Sequence, residues 1–114
     1  MTKSGTTYKQ TEIVLVSFPY SDLTSSKKRP ALVITNLHGD DLILVQITSK
    51  EKFDGYSVSL NDKDFKQGKL NMSSNIRQNR LFTAEKSIIN YKIGSLKEDK
   101  MNDAINKLIE IIKK

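Results

Sequence analysis

Apolar residues in this chain come in short runs set apart by polar turns, a rhythm that suits strands everywhere except at the C-terminal end. Residues 12–18, Glu-Ile-Val-Leu-Val-Ser-Phe, are rich in β-branched and aromatic side chains and predict a first strand, stopped by Pro19. Residues 30–35 predict a second strand, whose first position can be Pro30 without loss of an interior ladder bond. The stretch Asn36-Leu-His-Gly-Asp40 has turn chemistry, and residues 41–48 read as a third strand, so the two form an antiparallel hairpin. The unbroken apolar run at residues 42–45 implies burial on both faces of that strand. Between the first two strands, residues 20–29 form a polar loop with little to bury, expected to be mobile and ending in a basic cluster. Residues 56–60 alternate, with Tyr56, Val58 and Leu60 on one side and Ser57 and Ser59 on the other. Residues 61–68 read as a polar turn and residues 70–83 as extended again. Many short strands separated by turns argue for a barrel or a sandwich.

The last segment changes period. Ser95 and Glu98 have capping-box spacing, in which hydroxyl and carboxylate satisfy the free amides at a helix start. Beyond them Met101, Ala104, Ile105, Leu108, Ile111 and Ile112 recur on one helical face. An amphipathic helix over residues 96–113, packed on the sheet, follows. With no internal repeat or linker, the chain reads as one mainly β domain with a C-terminal helix over residues 1–114, residues 1–10 being a flexible lead-in.

Composition narrows the class. A length of 114 residues suits one modest core. The absence of cysteine excludes disulfides and thiolate metal sites. Residues 1–8 are polar and lack the apolar core of a signal peptide, and no apolar run approaches a membrane span. A cytoplasmic protein with no membrane association is expected. Nineteen Lys and Arg against thirteen Asp and Glu give a charge of +6, which favours polyanionic partners through steering and counterion release.

Several chemistries drop out. His38 is the single histidine and sits in a turn before Gly39, where such a side chain is ordinarily solvated. Asp62 and Asp64 lack the glycine position and the bidentate acid of a calcium loop, residue 73 being Ser. Asp40 and Asp41 are adjacent and would diverge in a strand. Phosphate-cradling glycine loops and serine elbows are missing as well. No metal and no cofactor is expected. Polar groups remain at the strand ends: Arg29, Thr48, Ser49, Arg77, Asn79 and Arg80, with Lys27 and Lys28 leading into Arg29. A guanidinium can grip phosphate through two donors and neutralise charge on a non-bridging oxygen. A threonine closing an apolar strand puts its hydroxyl at a rim. Each of these also has an ordinary structural explanation, and periodicity alone does not choose.

Residues 12–22, the block Lys28-Arg29-Pro30-Ala-Leu-Val-Ile34, and Gln46-Ile47-Thr48-Ser49 resemble the MazF/PemK family in order and spacing. So do Ser74-Asn-Ile-Arg-Gln-Asn-Arg-Leu-Phe-Thr-Ala-Glu-Lys86 and Ile93-Gly94-Ser95-Leu96 before the last helix. The resemblance covers residues 12–112 or so, and its ordered combination is specific where single blocks are modest. It implies an SH3-like small β-barrel, a toxin endoribonuclease, a homodimer, and neutralisation by a cognate antitoxin protein, with DNA reached only indirectly through that antitoxin. It further implies that Arg29 and Thr48 are the catalytic residues, that residues 21–28 form an RNA-gating loop, and that Arg77 lies near the cleavage site. Lys27, Lys28, Ser49, Asn79 and Arg80 are candidate RNA contacts beside them.

Two departures stand out. Family members commonly have Gly-Asp where this chain has Thr11-Glu12, which should affect a turn. Asn79 stands at a position that is acidic in some members, and an amide cannot take a proton from a 2′-hydroxyl. The general base is therefore open. The expected reaction is metal-independent cleavage of single-stranded RNA by 2′-hydroxyl attack, leaving a cyclic phosphate and a 5′-hydroxyl. The rival readings are an SH3-like module that binds RNA or DNA without cutting, and an interaction domain whose charge is incidental.

Overall fold

The computed structural model describes residues 7–19, 26–50 and 54–114. Its elements are β1 (Glu12–Pro19), β2 (Ser26–Asn36), β3 (Asp41–Thr48), β4 (Ser57–Leu60), β5 (Phe65–Gly68), β6 (Ser74–Glu85), β7 (Ile89–Leu96) and α1 (Glu98–Ile112), with 3-10 turns at Asp62–Asp64 and Lys86–Ile88. The strands form one curled sheet in the order β4-β6-β3-β2-β1-β7-β5. Neighbours are antiparallel throughout. A mostly β chain with a C-terminal helix, its sheet curled into a half-barrel, is the class the apolar rhythm implies.

The three central strands explain why their apolar runs are continuous. Successive side chains in a strand leave by opposite faces. Ile13, Leu32, Val45 and Ile47 enter the barrel core, where Leu60, Phe65, Ile76, Leu96, Met101 and Ala104 join them from the other strands and α1. Their neighbours Val14, Val16, Ala31, Val33, Leu42 and Leu44 enter a second cluster on the reverse face with Tyr8, Ala84 and Ile89. Each fully buried aliphatic side chain contributes about 1.5–3 kcal/mol, so both clusters hold these strands in place. Tyr8, 6% exposed, lies in the second cluster, and its carbonyl accepts a hydrogen bond from Asn36 Nδ2 at 2.9 Å.

Several boundaries differ from the sequence reading. β2 begins at Ser26, so residues 26–29 are not loop: they pair with residues 16–19 of β1. The remainder of the expected polar loop, residues 20–25, which includes residues 21–25 of the expected RNA-gating segment, lies outside the described residues. The polar turn at 61–68 folds into a 3-10 turn and β5 because Phe65 reaches the barrel core. The capping box does not form. Ser95 is buried in β7, opposite Glu12 and Gln67, and Lys97 occupies the N-cap position without a side-chain bond. The helix start is held instead by the 3-10 turn: Lys97 N donates to Asp64 O at 2.9 Å, and Lys100 Nζ lies 3.5 Å from Asp64 Oδ2. Met101, Ala104 and Leu108 are buried as the stripe requires, but Ile112 is 67% exposed.

Candidate nucleic-acid interface

The strand ladders assemble a polar row across the sheet. Ser59 of β4 is the cross-strand partner of Asn75 in β6, and Asn75 is the partner of Thr48 in β3. Ala31 pairs with Gln46, so the β2–β3 register carried two residues further brings Arg29 level with Thr48. Arg29 in turn faces Val16 of β1. Directly opposed side chains share a face, with Cβ atoms about 4.5–5.5 Å apart. Alternation assigns that face: Thr48 follows Leu44 and Gln46, and Arg29 precedes Ala31 and Val33, whose side chains build the second cluster. The row is thus the polar continuation of that cluster at the open end of the three central strands.

Thr48 is half-buried, and its Oγ1 accepts a bond from Lys50 N at 3.2 Å. That contact uses one lone pair and orients the hydroxyl, leaving its proton to donate. Asn75 Nδ2 donates to Lys50 O at 3.1 Å and pins the same turn from the next strand. Two residues along β6, Arg77 occupies the same face opposite Ser57, with its Nη2 3.8 Å from Asp54 Oδ2. Arg77 Nε and Ser57 Oγ are buried with no hydrogen-bond partner among the described residues.

Beyond Ile76 the β3–β6 ladder breaks. Ile47 pairs with Ile76 and Val45 with Leu81, so residues 77–80 bulge against Gln46 alone. The bulge opens a groove of about 380 Å³ lined by Phe18, Gln46, Asn79, Arg80, Leu81 and Phe82. Phe18 and Phe82 meet there with ring centroids 5.2 Å apart at 58°. Aromatic surface flanked by two side-chain amides and a guanidinium suits an unpaired base beside a phosphate, since rings stack on bases and amides match their hydrogen-bonding edges.

The candidate residues divide between locations. Arg29, Thr48 and Arg77 share the row's face; Asn79 and Arg80 are exposed in the adjoining bulge; Ser49 is exposed just past the end of β3. Lys27, opposite Phe18, follows the same alternation, whereas Lys28 pairs with Ser17 and belongs to the other face. Phe18, Gln46, Asp54, Ser57, Asn75 and Phe82 were not among the sequence candidates. Only the folded register shows their proximity, although Gln46 opens the Gln46-Ile47-Thr48-Ser49 block. His38 is exposed in the β2–β3 turn, remote from the row. Among the described residues no three His, Cys, Asp or Glu side chains cluster to hold a metal ion, and no helix is long and apolar enough to cross a membrane. Away from the row, burial raises the Tyr8 hydroxyl above its ordinary value, and the Glu12 carboxylate adds to the effect.

Residues 9–112 match the family described as PemK-like, MazF-like toxin of type II toxin-antitoxin system. No curated protein matches the chain in sequence. Among solved structures, it resembles an endoribonuclease in complex with its cognate antitoxin from a mycobacterial species at 14% identity, with a TM-score of 0.76 over 94% of this chain and 96% of that one. It resembles a MazE–MazF structure from Deinococcus radiodurans at 17% identity, with a TM-score of 0.77 over 93% and 96%. The Mycobacterium tuberculosis toxin MazF-mt6 matches at 15% identity, with a TM-score of 0.68 over 88% and 96%. At these identities the structures show a shared fold.

Proposed function

This chain belongs to the PemK-like, MazF-like toxins of type II toxin–antitoxin systems, and on that premise we propose that it is a metal-independent endoribonuclease of single-stranded RNA. What supports the reading is the polar row across the sheet, in which the Ala31–Gln46 register, carried two residues further, sets Arg29 level with Thr48. RNA supplies its own nucleophile. The 2′-oxygen forms a bond to phosphorus, the bond to the 5′-oxygen breaks, and the products are a 2′,3′-cyclic phosphate and a 5′-hydroxyl. Arg29 neutralises the charge growing on the non-bridging oxygens, and the Thr48 hydroxyl donates a hydrogen bond to the same phosphate. Lys27, Arg77 and Arg80 attract the flanking phosphates; Ser49 and Lys28, at the margins, add charge or hydrogen bonds for the strand as it leaves. Gln46 and Asn79 read an unpaired base over the Phe18–Phe82 pair.

The similarity to structures described as complexes of toxin with antitoxin supports a cognate antitoxin as the protein partner. A homodimer would lengthen the RNA groove beyond what one chain offers, and DNA would be met only through the antitoxin. A cytoplasmic location follows from an RNA target. The second reading, a module that grips RNA without cutting, draws on the amide at Asn79.

The test is cleavage of a long single-stranded RNA in EDTA by wild type, Arg29→Ala and Thr48→Ala. Discrete fragments ending in cyclic phosphate are expected from wild type, with rates about 100-fold lower or worse in each variant. Intact RNA with retained binding would instead favour the binding module.

A further inference from the structure

Transesterification needs a group to take the 2′-hydroxyl proton, and Asn79 cannot serve. Among the described residues, Asp54 is a carboxylate that the fold brings beside the row, next to Arg77. Asp54 Oδ1 accepts a hydrogen bond from Tyr56 N at 3.0 Å, which fixes the side chain in a tight turn and presents Oδ2 toward Arg77. The 3.8 Å separation from Arg77 Nη2 is an ion pair without hydrogen-bond contact, so it does not occupy the Oδ2 lone pairs. With 33% of its side chain exposed, Asp54 is open to a ligand. Arg77 follows Asn75, the cross-strand partner of Thr48, by two residues on the same face of β6. Among the described residues, three further acids are engaged in other ion pairs: Glu12 with Lys92 at 3.0 Å, Asp64 with Lys100 at 3.5 Å, and Asp40 with Lys86 at 3.6 Å.

We propose that Asp54 is the general base of the cleavage reaction, a role that the amide of Asn79 cannot fill. This assignment rests on the ribonuclease reading. Asp54 Oδ2 removes the proton from the 2′-hydroxyl as the 2′-oxygen bonds to phosphorus. The leaving 5′-oxygen takes a proton from solvent water, and Asp54 later returns its own to solvent, so no water is consumed and no redox partner is needed. Arg77 positions the carboxylate and holds the adjacent phosphate.

Asp54→Asn is a sharp test because its side-chain oxygen can still accept from Tyr56 N, keeping the turn while removing the basic group. Single-turnover cleavage by wild type, Asp54→Asn and Asp54→Glu is to be measured across pH. Binding is measured separately, to the cleaved sequence carrying deoxyribose at the scissile nucleotide. The expected result is a rate at least about 100-fold lower in Asp54→Asn, binding within about threefold of wild type, loss of the acid limb of the pH profile, and partial recovery in Asp54→Glu. An Asp54→Asn variant that cuts at the wild-type rate, cuts faster because Arg77 has been released, or loses binding and rate in equal measure at every pH would overturn the assignment. Wild-type protein that cuts no RNA would sink the ribonuclease reading and this assignment together, whereas wild-type cleavage with an unaffected variant removes the assignment alone.

Discussion

Thr11 makes a stability prediction that can be worked through from the backbone. Glu12 N donates to Lys9 O at 3.1 Å, closing a four-residue turn, and Thr11, third in that turn, has φ of 87°. A positive φ at the third position is the type II pattern, which calls for glycine. Thr11 is β-branched, the side-chain type least suited to that region. The turn is nevertheless held from both sides: Lys9 N donates to Glu12 Oε1 at 2.8 Å, and Leu96 N to Thr11 O at 2.9 Å. A left-handed conformation costs an ordinary residue roughly 1–2 kcal/mol. Glycine would relieve that cost but lose about 0.5–1 kcal/mol to its freer unfolded chain. Thr11→Gly should therefore stabilise the protein by about 0.5–1 kcal/mol, or roughly 2–4 °C in Tm for a domain of this size. Thermal unfolding followed by circular dichroism, with Thr11→Asn as an intermediate case and Thr11→Val as a control without gain, measures it. A Thr11→Gly protein that melts at or below the wild-type temperature would refute the argument, showing that the threonine side chain contributes more than its backbone costs.

Two further outcomes follow from the same region of the barrel. Gly68 and Gly94 are cross-strand partners in β5 and β7, and a Cβ on Gly94 would overlap the carbonyl oxygen of Gln67. Gly94→Ala should thus lower the urea midpoint by an amount worth more than about 2 kcal/mol, in keeping with overpacking against backbone. Tyr8 responds to alkali: its folded-state pKa is raised, by burial first and Glu12 second, so the unfolded chain ionises sooner. That part of the stability is intact below the unfolded value, about pH 10, and is lost as pH rises through the folded one, so Tyr8→Phe should flatten the alkaline fall in unfolding free energy seen for wild type.

The sequence by itself determined the strands whose pattern is local. Residues 12–18, 30–35 and 41–48 lie within β1, β2 and β3 because their apolar content admits no other burial, and the run at 42–45 meets a core on each face. The helical stripe of Met101, Ala104 and Leu108 was legible for the same reason. Arg29, Thr48 and Arg77 could be singled out by type and by family resemblance, and the Thr11-Glu12 departure pointed to a turn whose φ now shows the consequence. Tertiary structure decided everything that depends on pairing. Ser95 has the chemistry of a helix cap, but a strand partner on each side claims it for β7. Residues 26–29 are polar enough to be loop, yet β1 supplies a ladder that outweighs local preference. Residues 77–80 leave the β3 ladder while Arg77 still pairs with Ser57 of β4, a change of partner that no local pattern records. Asp54 reads as a turn residue in sequence and acquires its place beside Arg77 only when the sheet curls. Burial is encoded residue by residue, whereas the meeting of polar groups from four strands depends on a register that only the folded sheet defines.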